Sequence, residues 1–145
     1  MSLSVERTFS VAPHVDEVFS YFADFTRTEE WDPGTLETTR ISGDGGMGTR
    51  YRNRSRFLGR ETELEYETVV HEPPHRFSCR GRNRTATATD HLTFSADGPH
   101  TRVHYRAAFE FHGLARLVAP VVVGPRLSSL ADETVARIQQ VLGRP

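Results

Sequence analysis

The segment LARLVAPVVVGPRLSSLADETVARIQQVL, Leu114 to Leu142, decides how the rest of the chain must fold. Its apolar residues fall at helical spacing: Leu114, Leu117, Val118, Val121 and Val122, then Leu127, Leu130, Thr134, Ile138, Val141 and Leu142. This is the pattern of a long helix with one apolar side. Pro120 removes a backbone donor, and Pro125 drives Gly124 away from helical geometry, so a kink or break is expected near Gly124. Almost everything before residue 114 reads as strand. A helix of this kind must then bury its stripe against a sheet, which makes the fold class α+β.

Working outward, 145 residues predict one domain, 1–145, able to bury roughly two thirds of its unfolded surface in a single core. The charged share is 26% and the formal net charge −1, which excludes a general electrostatic affinity for nucleic acid or anionic membrane. No apolar run of about eighteen residues could span a bilayer, and the first residues lack the basic and apolar blocks of a signal peptide. No membrane insertion and a cytoplasmic location are expected. The single cysteine, Cys79, rules out an internal disulfide. All eighteen basic residues are arginine, whose forked guanidinium can pair bidentately.

Ser2 to Val11 alternates as a strand, with Leu3, Val5, Phe9 and Val11 on one side and Arg7 as its discordant member. After Pro13, the spacing of Val15, Val18, Phe19 and Phe22 predicts a short amphipathic helix closed by Asp24. Thr26 to Glu29 has the form of a capping box, giving a second short helix that runs to Trp31 before the Asp32-Pro33-Gly34 turn. Six to seven strands in all are expected, ending at Gly113.

One hairpin is legible to the residue. Arg50, Arg52, Arg54 and Arg56 alternate with Tyr51, Asn53, Ser55 and Phe57. After Leu58-Gly59, Glu61, Glu63, Glu65 and Glu67 alternate with Thr62, Leu64, Tyr66 and Thr68. A two-residue loop at Leu58-Gly59 sets Arg56 opposite Glu61, and so on to Arg50 opposite Glu67. The charged rows form a solvated outer face, and a one-residue slip would exchange the two faces. The uncharged row, extended to Val70, must then point toward the C-terminal helix. Similar alternation turns Phe77, Cys79 and Gly81 inward, followed by Ala86, Ala88, Asp90, Leu92 and Phe94. Val103, Tyr105, Ala107, Phe109 and Phe111 complete the inward set.

The order of these elements and the residues that punctuate them resemble the START-like, Bet v 1-like superfamily (SRPBCC), in its polyketide cyclase/dehydrase and lipid-transport branch. The resemblance rests on Val11-Ala12-Pro13 with Val18-Phe19, on Ala23-Asp24-Phe25 leading to Glu30-Trp31-Asp32-Pro33-Gly34, and on Gly48-Thr49-Arg50-Tyr51. Glu72-Pro73-Pro74-His75-Arg76-Phe77 and Thr101-Arg102-Val103-His104-Tyr105 complete it. It implies a helix-grip fold, a curved antiparallel sheet wrapped around the C-terminal helix, with a cavity between them for an apolar or aromatic small molecule.

The residues themselves also argue for a hollow interior. Asn53, Ser55, Thr62, Thr68 and Asp90 lie on the inward face among Tyr51, Tyr66 and Tyr105, and each buried polar group without a partner costs about 1–3 kcal/mol. Either the tyrosine hydroxyls satisfy them or water and ligand do. The candidate ligand-binding residues are Tyr51, Asn53, Ser55, Tyr66, Thr68, Asp90, Leu92, Tyr105 and Phe109. Trp31 joins them as packing residue or lid, with Val118 and Val122 from the helix. Asp90 is the candidate catalytic group, because a carboxyl in an apolar pocket has a raised pKa and can exchange protons near neutrality. The seven histidines share no zinc spacing, and no nucleophile, phosphate or dinucleotide motif is present, so no metal and no cofactor are expected. The chain is expected to bind or carry a lipid or polyketide-like aromatic, as monomer or homodimer. The alternative is a cofactor-independent cyclase/aromatase or dehydratase working in the same cavity.

Overall fold

The computed structural model describes residues 2–145. Strand β1 (Ser2–Val11) leads to α1 (Val15–Ala23), a 3₁₀ turn (Phe25–Arg27) and α2 (Thr28–Trp31). Strands β2 (Thr35–Ser42), β3 (Arg50–Phe57), β4 (Arg60–Glu72), β5 (Arg76–Arg82), β6 (Ala86–Asp97) and β7 (His100–Phe111) follow. Then come α3 (Ala115–Val123), a second 3₁₀ turn (Gly124–Arg126) and α4 (Leu127–Leu142). The seven strands form one antiparallel sheet in the order β1-β7-β6-β5-β4-β3-β2.

The Leu58-Gly59 hairpin has the expected register, with Arg56 opposite Glu61 and Arg50 opposite Glu67. Both loop residues have positive φ, 53° and 78°, as a tight turn matching the strand twist requires. The ion pairs, however, run diagonally: Arg50 binds Glu65, Arg52 binds Glu63 at 2.9 Å and Arg54 binds Glu61 at 2.9 Å. Arg56 shares Glu61 at 3.1 Å. Arg56, next to the turn, keeps the glutamate directly opposite, whereas sheet twist brings Arg50, Arg52 and Arg54 to the neighbour two residues along.

Three local expectations need correction. Thr26 to Glu29 is not a capping box. Asp24 caps the 3₁₀ turn instead, accepting from Thr26 N, and Glu29 Oε2 accepts from Thr38 N of β2. Val70 does not continue the inward row, because the pairing of β4 with β5 shifts between Thr68 and Val70 and inverts the phase. His71 becomes the inward residue, with its ring edge-on to Phe19 at 5.2 Å. Arg7 is not discordant. It crosses from β1 to α4, where Nε donates to Asp132 Oδ1 at 3.0 Å and Nη2 to Ser128 Oγ at 2.9 Å.

A 3₁₀ turn at Gly124–Arg126 interrupts the C-terminal segment, although Gly124 itself, against expectation, keeps right-handed helical angles (φ −49°, ψ −51°), and the two halves differ. In α4 Leu127, Ala131, Thr134 and Ile138 are buried, one side of the helix facing the concave sheet. Gln139 Nε2 donates to Ser10 O and Ala12 N to Gly143 O, which ties the far end of α4 along β1. In α3 no residue is buried, and Leu117, Val118 and Val121 are 60–75% exposed. The stripe read as one surface is therefore a gripping helix preceded by a helix that lies in water.

Aromatic residues from α1, the first 3₁₀ turn and α2 fill one end of the concave face. Phe22 stacks on Phe94 at 5.6 Å, Phe25 meets Tyr66 at 4.7 Å, and Trp31 meets Phe22 at 5.4 Å. Tyr51, Phe77, Leu92 and Val103 pack against this wedge with almost no exposed surface. That end of the molecule is closely packed.

Candidate functional site: a cavity under α4

At the other end the sheet and α4 stay apart, enclosing a cavity of about 310 Å³ that opens to solvent. Its shape follows from strand alternation. On β4 the inward steps Thr62, Leu64 and Tyr66 line it, and the next, Thr68, is already in the solid core. On β6 the lining steps are Ala86, Ala88 and Asp90, with Leu92 in the core. On β7 they are Phe111, Phe109, Ala107 and Tyr105, with Val103 in the core. Tyr66, Asp90 and Tyr105 thus form a polar floor beneath apolar walls. Leu127, Leu130, Ala131 and Thr134 of α4 make the roof, and Phe57, Asn83, Thr85 and Val123 stand at the mouth. Asn83 Oδ1 shapes that rim by accepting from Thr85 N and Ala86 N, both at 2.9 Å.

The floor carries the chemistry. Tyr105 Oη donates to Asp90 Oδ1 at 2.8 Å. Burial, reinforced by the charge of Asp32, raises the Asp90 pKa to about 7 despite the opposing hydrogen bond from Tyr105. Asp32 also lines the cavity and has its own pKa raised by burial, opposed by Thr35, Gly34 and the more distant Arg137. Its Oδ1 accepts from Gly34 N and its Oδ2 from Thr35 Oγ1. Burial likewise pushes the Tyr66 and Tyr105 phenols well above their ordinary value. The Tyr66 ring lies directly over Gly81, where an added Cβ would come within 2.6 Å of it.

Of the residues expected from sequence, Asn53, Ser55, Tyr66, Asp90, Tyr105 and Phe109 line the cavity. Tyr51, Thr68, Leu92 and Trp31 do not: they are at most 1% exposed, enclosed by the aromatic wedge that occupies half of the concave face. Val118 and Val122 point to water from α3, because the break at Gly124 takes that helix off the sheet. Asn53 is satisfied by threonines rather than tyrosines. Its Nδ2 donates to Thr35 Oγ1 and Thr38 Oγ1, and Thr35 in turn donates to Asp32. Sequence reasoning missed Asp32, hidden in a motif read only as a turn, and missed Ala131 on the roof, while Thr134 stood in the helical stripe but not among the candidate ligand-binding residues. The signal for Asp32 was its place directly after the tryptophan that closes the core.

The histidines are dispersed, and among the described residues no three metal-ligating side chains converge. Cys79 is fully buried, and burial raises its thiol pKa. No helix is long and apolar enough to cross a membrane.

A curved antiparallel sheet, short helices after its first strand and a terminal helix laid across it define the helix-grip architecture of the START-like, Bet v 1-like superfamily. Within it, the chain belongs to the polyketide cyclase / dehydrase and lipid transport family, whose sequence profile matches residues 2–143. The structure resembles that of the Zhui aromatase/cyclase from Streptomyces sp. R1128, with a TM-score of 0.73 at 15% identity over 97% of this chain and 96% of that one. A START superfamily protein from Mycobacterium smegmatis gives 0.72 at 16% identity over 97% and 94%. The di-domain ARO/CYC BexL from the BE-7585A biosynthetic pathway gives 0.74 at 16% identity, over 99% of this chain and 51% of that one. At these identities the likeness is one of fold. Among curated proteins none matches the chain in sequence.

Proposed function

We propose that the protein binds a hydrophobic small molecule, a lipid or a polyketide-like aromatic, in the cavity beneath α4 and carries or sequesters it. The observation that carries this reading is the cavity of about 310 Å³ with apolar walls, an open mouth and a few polar groups gathered at its floor. That size is at the lower end of small-molecule sites, about 300–1,000 Å³. Membership of a family that includes lipid transport supports it. Native mass spectrometry of the purified protein tests it, with a co-purified apolar molecule as the expected result. An empty protein with no thermal shift across lipid and aromatic libraries counts against it.

A second reading, a polyketide cyclase/aromatase or dehydratase, is favoured by the Tyr105–Asp90 contact and the carboxyl pKa of about 7. Ionised Asp90 withdraws a proton from the methylene between two ketones, and the Tyr105 hydroxyl stabilises the enolate that forms. The enolate carbon attacks a second carbonyl, and protonated Asp90 returns its proton to the new alkoxide. Loss of turnover in Asp90→Asn supports this reading. A retained rate removes Asp90 from the chemistry.

A further inference from the structure

The cavity is unbalanced in charge. Asp32 arrives from the turn after α2 and Asp90 from β6, and both line the same space. The cation on its lining is Arg56, at the mouth, which is engaged with Glu61 at 3.1 Å on the outer side of the hairpin. Asp32 has both oxygens occupied as acceptors, by Gly34 N at 3.1 Å and Thr35 Oγ1 at 2.8 Å, the arrangement that suits an ionised carboxylate. Asp90 accepts from Tyr105 through Oδ1, and its Oδ2 has no hydrogen-bond partner among the described residues. The groups around this pair are tyrosines and a buried thiol, Tyr66, Tyr105 and Cys79, none of which supplies positive charge at neutral pH. Arg137 on α4 acts on Asp32 from outside the cavity lining. Two carboxyls facing a low-dielectric space, neither with a salt-bridge partner among the described residues, are costly, and either a proton or a bound cation relieves them.

The position of the carboxyls adds an orientation. Asp90 sits at the floor, one strand step from the solid core, and Asp32 faces the same space from the turn after α2, near enough for its charge to act on Asp90, while the walls toward the mouth are Leu64, Ala88, Ala107 and Phe109. A ligand that satisfies both regions has a charged head leading and an apolar body following.

We propose that the cavity selects a hydrophobic amine, with its ammonium between Asp90 and Asp32 at the floor and its apolar body against the walls and α4. This rests on the small-molecule-binding reading above and names the chemical class of its ligand. An ammonium donates to the open Asp90 Oδ2 and neutralises the pair, whereas a neutral molecule of the same shape leaves the charge uncompensated.

The test compares 2-(2-naphthyl)ethylamine hydrochloride with 2-(2-naphthyl)ethanol, which share a ring system and differ in the head group, by calorimetric titration of the full chain at pH 7.5. The amine is expected to bind tighter by roughly tenfold or more, the worth of a charge-assisted hydrogen bond over a neutral one. The amine-to-alcohol ratio should fall toward one in Asp90→Asn, checked for folding by circular dichroism. In the unmodified protein, amine binding at pH 7 should release protons, read from the dependence of the heat on buffer ionisation enthalpy, and alcohol binding should not. An alcohol that binds as well as the amine overturns the inference and leaves the small-molecule reading standing. A preference that survives in both Asp90→Asn and Asp32→Asn also overturns it. Binding of neither probe, nor of any neutral aromatic, removes the small-molecule reading and this inference with it.

Discussion

Tyr105 does not lie opposite the residue it binds. Its partner across the β6–β7 ladder is Leu92, and its hydroxyl reaches diagonally to Asp90, two residues away, at 2.8 Å. Three of the arginine pairs on the far face of the sheet, from Arg50, Arg52 and Arg54, take the same diagonal step. One twist therefore arranges both the outer ion pairs and the acid–phenol contact of the cavity floor.

That hydroxyl lowers the Asp90 pKa while burial and Asp32 raise it. Tyr105→Phe removes the lowering contribution, so the Asp90 carboxyl should titrate above about 7. Carbon-detected NMR of labelled aspartate reads this directly, and an unmoved or lower midpoint would show that the contact does not govern Asp90.

The raised carboxyl makes a statement about stability. Between about pH 4, where an unfolded Asp loses its proton, and about pH 7, the folded state holds more protons than the unfolded one, so stability should fall as pH rises through this window. Asp90→Asn, which keeps an acceptor for Tyr105, should stabilise the protein at pH 8 by about 1–3 kcal/mol. The full shift is reduced because water reaches the cavity. At pH 4 the gain should vanish. Urea denaturation at the two pH values checks both the sign and the window.

Gly81 is the point where a side chain cannot be added. Gly81→Ala places a methyl within 2.6 Å of the Tyr66 ring. The ring must move off the strand, at a cost of about 1–3 kcal/mol in denaturation experiments. An unchanged midpoint would mean that the ring is free to shift.

The two C-terminal helices should respond differently to truncation. Ile138→Ala, at a fully buried position of α4, should cost about 2–5 kcal/mol. Val121→Ser, at a position 75% exposed on α3, should change stability by less than about 0.5 kcal/mol. Comparable losses at the two positions would contradict the division of the segment at Gly124.

Much of this architecture is written in two-residue alternation, which is why the β3–β4 register and the inward placement of Tyr66, Asp90 and Tyr105 were readable in advance. Alternation gives a face, not a depth. Thr68 and Tyr66 occupy the same row, yet one belongs to the solid core and the other to the cavity, because a non-local wedge of Phe22, Phe25 and Trp31 fills one end. The bulge at Val69 left no mark in the pattern, since Val69, Val70 and His71 suit either face. For α3, helical periodicity was correct about the helix and misleading about its burial: an apolar stripe says what a helix can cover, and the break at Gly124 decides what it does cover. Asp32 escaped because Asp-Pro-Gly explains itself fully as a turn.

On the proposed small-molecule reading, the seam at Gly124–Arg126 has a kinetic consequence. The buried contacts that hold the sheet closed belong to α4 and β1, and α3 contributes none, so substitutions in residues 115–123 can alter how fast an occupant exchanges without touching the melting temperature. On that reading, residence time and thermal endurance would be written on separate stretches of the chain.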